Sequence, residues 1–416
     1  MPQGGGGVRV IFTSSTGPGC HAAHPHSMDN HLTRPSMSTS FPPSLGSIAQ
    51  AFLYIGFIGF GGGLAILAQI QRHVVEKLRW LTRDELAEAT AVVQSLPGVI
   101  AVNISCFIGF KLRGWKGGLA AVIAIVFPAF VSMLLVSEFY LRFKEVPDLA
   151  RLFRGLTPAI AAFILVAAYK LGRGVIRSFW DWPVALFSLL ALSVFNLGVV
   201  RTVLITGMLG ILAWTWHRRG DESVSCLAPW LSGLAVGLST SSFWQSDLWR
   251  LTYVFLKIGA FTFGGGYVMV PILEGEVVNR FGWLSHHEFV DSVALGQITP
   301  GPVVITATFV GYKILGLLGA CLATVAVFFP SYCLTLAISL CYQRFKSSQV
   351  IQAFLRGVAP SVVGMLASAT WSIGKESVHT WLGVLIATAT VLISLRSRIS
   401  SIWILVGAGC LGWLFG

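Results

Sequence analysis

Apolar residues dominate this chain in long runs, and polar residues are confined to the short connections between them. The runs cover 46–70, 117–141, 152–171, 182–197, 200–216, 248–273, 318–341, 354–374, 380–395 and 399–416. Most approach the ~17–25 residues with which a helix crosses a bilayer. Two further stretches, 94–112 and 297–315, are apolar but interrupted by proline and glycine. The pattern predicts an all-α polytopic membrane protein.

Sliding the chain against itself shows one unit written twice. At an offset of 203, residues 52–98 match 255–301 with seventeen of 47 positions identical. Among the identities are Gly56/Gly259, FGGG at 60–63 and 263–266, Trp80/Trp283, Glu85/Glu288, Gln94/Gln297, Pro97/Pro300 and Gly98/Gly301. The offset then becomes 202 and pairs Gly109/Gly311, Lys111/Lys313, Pro128/Pro330, RFK at 142–144 with 344–346, and Arg154/Arg356. The expected organisation is a leader at 1–44, a first repeat at 45–216, a linker at 217–247 and a second repeat at 248–416.

Loop charge bears on how the halves are related. The loop after the first glycine triplet carries Arg72, Lys77, Arg79 and Arg83, whereas its counterpart carries only Arg280 among the acids Glu274, Glu276, Glu288 and Asp291. Equivalent loops of opposite charge face opposite sides under the positive-inside rule. If 94–112 and 297–315 are re-entrant, each half crosses five times and Lys/Arg divide 18 inside to 10 outside, with Lys257 in a span. Twelve full spans would make the halves parallel and divide the cations 15 to 13. Inverted repeats of about five spanning helices, each half with a re-entrant or broken segment, are therefore expected. The recurrence of RFK in both halves pulls the other way.

Composition agrees with a membrane protein: 55% of residues are hydrophobic, only 11% are charged, and the mean hydropathy is +0.75. The net charge of +12 sits in loops between spans and sets topology, with no basic patch interleaved with aromatics, so nucleic acid is excluded as a partner. The seven cysteines show no CxxC pair or metal-like spacing, which predicts packing rather than a metal or disulfide framework. Residues 1–44 are rich in Gly, Ser, Thr, Pro and His and carry a single acid, Asp29. They are expected to be a disordered leader or a targeting segment, the latter allowing an organelle membrane in place of the plasma membrane.

Candidate chemistry lies in the repeated motifs. Glycine inside a helix costs about 0.5–1 kcal/mol relative to alanine, so a triplet within a span breaks the helix. Freed N–H groups at such a break attract anions, and inverted repeats with broken helices are built like secondary transporters. Gly61, Gly62 and Gly63 with Gly264, Gly265 and Gly266 thus read as an anion cradle, close helix packing being the alternative. QSLPGV at 94–99 and QITPGP at 297–302 place Gln94, Pro97 and Gly98 beside Gln297, Pro300, Gly301 and Pro302. Each is a helix break with a neutral donor, or else a turn without ligand contact. Asn103, Thr299, Thr306 and Thr308 add amide and hydroxyl groups that also suit local backbone bonding. Lys111, Lys313, Arg154 and Arg356 are matched cations at span ends, suited to an oxyanion or to snorkelling. No carboxylate falls clearly within a span, which favours an anion over a cation or proton relay.

FxxxGxxxFGGG followed by QxxPGP, once in each fused half, resembles the chromate ion transporter family from Phe52 to Gly416. The resemblance implies a multi-pass transporter of chromate, also handling sulfate, that exports chromate and confers resistance. Cofactors are not implied; the partners are the oxyanion, the bilayer and, as an option, a second copy in a homodimer. The first half departs from the motif by reading Pro97-Gly98-Val99. An oxyanion channel and a membrane-embedded enzyme are the rival classes, but haem or flavin ligands, a clustered nucleophile and base, and a P-loop are all missing from the sequence.

Overall fold

The computed structural model describes residues 43–416 apart from 61, 62, 95, 196, 218–245, 263–265, 378, 379, 398 and 416. The proposed leader and most of the linker therefore lie outside the described residues. Among those described, the regular secondary structure is helical. The first half comprises α1 (Leu45–Ile58), α2 (Gly63–Ile70), α3 (Arg83–Gln94), α4 (Ile100–Phe143), α5 (Pro147–Val175), α6 (Asp181–Ser193) and α7 (Val199–His217). The second half repeats them as α8 (Asp247–Phe261), α9 (Met269–Leu273), α10 (His286–Ile298), α11 (Thr306–Ser347), α12 (Gln349–Ser377), α13 (Trp381–Arg396) and α14 (Ser401–Phe415).

Local signals explain the boundaries. Ser44 caps α1 by accepting from the Ser47 N–H at 3.1 Å. Thr82 and Glu85 bond reciprocally at the start of α3, and Ser285 and Glu288 form the same capping box on α10. Before each cap the chain passes through a seven-residue π-helical turn, Gln71–Lys77 and Glu274–Arg280. π-turns are rare and concentrate at functional sites, so their recurrence at the same repeat position ties both breaks to one purpose.

α4 and α11 are hairpins, each with two arms. α4 turns back at Gly114 (φ 62°) and α11 at Gly316 (φ 57°), conformations open to glycine at little cost. Gly109 lies against Gly117 and Gly311 against Gly319 so closely that a Cβ on any of the four would fall within 2.3 Å of the opposing carbonyl oxygen. The first arm, 100–112, is about 20 Å long at 1.5 Å per residue and falls short of a ~30 Å hydrocarbon core. Both stretches read as interrupted in the sequence thus become a break followed by a short arm.

Chain direction settles how the halves are related. The second arm of α4 lies along the first arm of α11: Ala129 meets Gly301, and the Tyr140 ring meets Phe309 with centroids 5.4 Å apart. The two run the same way. Because the arms of α11 are antiparallel to each other, the second arms of α4 and α11 run in opposite directions. The halves are inverted repeats, and the two RFK clusters lie at the ends of oppositely directed arms.

The halves also interleave. α5 packs on α12, α13 and α14, while α12 packs on α5, α6 and α7. Gly155 abuts Ala408 and Gly412, and its equivalent Gly357 abuts Thr206 and Gly210. Small residues let these backbones approach, as in membrane helix pairs. Five described helical stretches are long and apolar enough to cross a membrane, and large apolar side chains such as Leu135, Leu186 and Trp403 face outward where lipid would lie.

Candidate functional site

The four helix breaks meet between the halves. The Gly98 N–H donates to the Thr262 carbonyl at 2.5 Å, and the Gly301 N–H donates to the Gly59 carbonyl at 2.9 Å. Gly59 and Thr262 are equivalent positions, as are Gly98 and Gly301. Each Pro-Gly turn is therefore pinned to the broken glycine-rich helix of the other half by a reciprocal pair of bonds. Both turn glycines have positive φ, +112° and +102°. A Cβ on Gly98 would sit 2.2 Å from Ser331 Oγ, and one on Gly301 would sit 2.7 Å from Ala129 Cβ. Ser331 and Ala129 are themselves equivalent, each following the proline inside a long arm.

Polar groups gather at this crossover. Asn103 Nδ2 donates to the Pro97 carbonyl at 3.2 Å, while Asn103 Oδ1 and Ser331 Oγ, both beside Gly98, are buried without a hydrogen-bond partner. In the second half Tyr267 donates its hydroxyl to Gln297 Oε1 at 3.1 Å, leaving the buried Gln297 Nε2 without a partner. Unsatisfied buried polar groups are costly, and a ligand that supplies partners relieves the cost. Thr299 and Thr306 donate to the Gly296 and Val303 carbonyls, and Thr308 bonds Thr324 across the hairpin. Of the glycine triplets, Gly61, Gly62, Gly264 and Gly265 lie outside the described residues. Gly63 opens α2 beside Ile100, and Gly266 opens a short 3-10 turn beside Val303. Pro300 is half-buried and Pro302 buried within the second turn.

The remaining predicted site residues lie elsewhere. Gln94, the counterpart of Gln297, is exposed at the end of α3. Lys111 and Lys313 lie at the far ends of the short arms, about 20 Å along the helix from the Pro-Gly turns. Each pairs with the cap glutamate of its own half: Lys111 with Glu85 at 2.8 Å and Lys313 with Glu288 at 2.5 Å. Glu288 also receives Lys144 at 3.3 Å. Burial works against its charge, yet Lys313, the Ser285 N–H and Lys144 together hold the carboxyl at about 2. Glu85 is lowered as well: burial opposes this, and Lys111 and Thr82 outweigh it. Arg154 and Arg356 are exposed on α5 and α12.

The fold corrects the expectation of an interior nearly without acids. Glu274 is only 8% exposed and Asp291 only 2%. Ser372 donates to Glu274 at 2.5 Å and Tyr140 to Asp291 at 2.5 Å, with His286 and His287 beside the two carboxylates. The sequence places Asp291 among loop acids, because it lies in the connection between spans. The signal was the half-to-half difference, since the first half has Gln71 opposite Glu274 and an exposed Glu88 opposite Asp291.

Comparison with known proteins agrees with the repeat. The chromate transporter family profile matches residues 46–212 and again 249–413. A protein of Synechococcus elongatus named "Probable chromate transport protein" is 32% identical over 86% of this chain and 90% of its own length. The chromate transport protein of Cupriavidus metallidurans is 31% identical over 91% of this chain and 94% of its own. An uncharacterized transporter of Bacillus subtilis is 29% identical and aligns with 45% of this chain but 94% of itself, the length of one repeat. No solved structure matches the chain. Two profile matches in tandem, on two interleaved and inverted helical repeats, make this multi-pass membrane protein a member of the chromate transporter family.

Proposed function

We propose that this protein is a secondary transporter that moves chromate across the plasma membrane, accepts sulfate at the same site, and serves chromate export and resistance. The observation that carries the reading is the reciprocal Gly98–Thr262 and Gly301–Gly59 pair, which gathers four interrupted helices at one place. Irregular backbone at membrane depth persists only where protein or a polar cavity satisfies it. Here the uncommitted donors beside it are the Gln297 amide and the Ser331 hydroxyl. With backbone N–H groups of the glycine triplets they would complete a cradle for a tetrahedral dianion. Chromate and sulfate share that shape and charge, so one cradle serves both.

Inverted repeats supply alternation. When two halves are equivalent under inversion, the conformation each adopts can be exchanged, turning an inward-open site outward around a fixed centre. The hinge is the crossover, where the Pro-Gly turn of each half is bonded to the broken helix of the other. Membership of a transporter family sets aside the membrane-embedded enzyme. A channel remains the competitor, and counterflow separates the two. In proteoliposomes loaded with chromate or sulfate, a carrier accelerates uptake of labelled chromate by exchange. Uptake indifferent to the internal anion would replace the carrier with a channel, and absence of uptake would overturn oxyanion transport.

A further inference from the structure

Outside the crossover, a cavity of about 330 Å³ opens where the end of α4, the start of α5 and the start of α10 meet. Asp291 lines it. Its Oδ2 accepts from the Tyr140 hydroxyl at 2.5 Å and lies 3.0 Å from His287 Nδ1, while its Oδ1 is buried with no partner. The His287 side chain is 70% exposed and stands between solvent and the carboxylate.

Every charged or titratable neighbour bears on such a group. α4 contributes Tyr140, the turn after it Lys144 and Glu145, and α10 His287 and Glu288. α11 reaches it through Lys313, which is bonded to Glu288. α5 lines it with the apolar Leu149, Ala150 and Phe153, while its Asp148 and Arg151 approach each other at 3.6 Å. The two lysines are thus directed to Glu288. Neither is in a hydrogen bond or ion pair with Asp291, whose neighbours are a hydroxyl and an imidazole.

We propose that Asp291 is a proton-binding site, loaded from solvent through His287, and that its protonation is linked to occupancy by the transported oxyanion. The proton comes from water, passes over the imidazole and is handed by His287 Nδ1 to the Oδ2 it faces, neutralising one buried negative charge. It leaves by the reverse route. The linkage rests on the transporter reading above and has a structural carrier. Asp291 stands six residues before Gln297 on α10, so removing its charge favours an anion near the end of that helix. The Tyr140–Asp291 bond also joins the first half to the second along the same α4 arm that packs Ala129 against Gly301. The first half lacks the device: position 88 is an exposed glutamate with Asp84 in place of His287.

Infrared difference spectroscopy on the whole purified protein tests the site without any substrate. A protonated-carboxyl band that titrates with pH and vanishes in Asp291→Asn is expected; its absence from the wild type, or its survival in the variant, overturns the site. Tyr140→Phe keeps the ring and removes one hydrogen bond to the carboxylate, so the band should titrate at higher pH. An unmoved midpoint contradicts the assignment. Linkage is read as proton uptake when chromate is added at alkaline pH, where chromate is the dianion. Uptake should disappear in Asp291→Asn while chromate still binds, and equal uptake in the variant overturns the linkage. A wild type that titrates at Asp291 but binds no chromate leaves the proton site standing and defeats the oxyanion reading instead.

Discussion

In the first half Tyr54 and His73 face each other as rings, centroids 4.8 Å apart; at the equivalent positions of the second half Lys257 and Glu276 form an ion pair at 2.5 Å. The same substitution of polar for apolar or exposed chemistry runs through that half. Tyr267 and Gln297 bond each other where the first half has Leu64 and an exposed Gln94, and the buried Asp291 stands opposite the exposed Glu88. What the halves share is different in kind: helix breaks, hairpin glycines, cap glutamates and the lysines that meet them. Shared features build the inverted scaffold, and unshared ones concentrate the buried acids and the Tyr267–Gln297 bond in the second half. A duplicated fold thereby keeps its hinge symmetric while its chemistry becomes one-sided.

The most decisive break of this comparison is all or none. Thr82 and Ser285 are exposed equivalents at the two caps. Single cysteines at these positions in a cysteine-free background should label from opposite sides, with position 82 cytoplasmic. Labelling of both from one side would contradict inversion. Next in size are Gly98→Ala and Gly301→Ala. A side chain at positive φ costs about 1–3 kcal/mol, before any collision with Ser331 or Ala129. Both variants should melt at lower temperature and lose most chromate flux. Adding Ser331→Gly or Ala129→Gly, respectively, should recover part of the melting temperature. If one glycine tolerates alanine and the other does not, the crossover is not symmetric.

Gln297→Ala against Gln94→Ala then measures how one-sided the chemistry is. A donor lost to a buried anion costs about 1.5–3 kcal/mol, or roughly tenfold to a hundredfold in affinity. Gln297→Ala should show that loss in chromate binding per folded protein, while Gln94→Ala should stay near wild type. Equal losses would return the first-half motif to the site.

These differences were unevenly legible in the sequence. Breaks are written locally, in FGGG and in Pro-Gly, so the repeat and its interruptions could be read directly, while the hairpin turns at Gly114 and Gly316 come from the fold. The inversion was legible through loop charge, because Arg72, Lys77, Arg79 and Arg83 face only Arg280. The crossover was not. Its bonds run from backbone N–H to backbone carbonyl and leave no side-chain signature beyond the glycines they require. Lys111 and Lys313 read as oxyanion ligands or interfacial anchors, because nothing in the sequence joins them to glutamates 26 and 25 residues earlier. Tyr140 and Asp291 are 151 residues apart, so only the fold shows that the acid is buried.

The smallest expected effect concerns those glutamates. Both cap a helix, and both pair with a lysine, but Glu288 has two lysines and Glu85 one. A carboxyl whose folded value is depressed stabilises the protein fully above its ordinary value of 4.5. It loses that contribution as pH falls through the folded value, about 2 for Glu288. Thermal stability should therefore decline between these two pH values, and Glu288→Gln should flatten the decline more than Glu85→Gln. Glutamine serves in a capping box as glutamate does, so each substitution removes the charge and keeps the cap. Partly exposed pairs of this kind contribute about 0.2–1 kcal/mol, so the melting shifts will be small and need to be followed across the whole acid range. Lys144→Ala sharpens the test by leaving Glu288 with one lysine, like Glu85. The two halves should then respond alike to acid, and a persistent difference would mean that burial, not the second lysine, separates them.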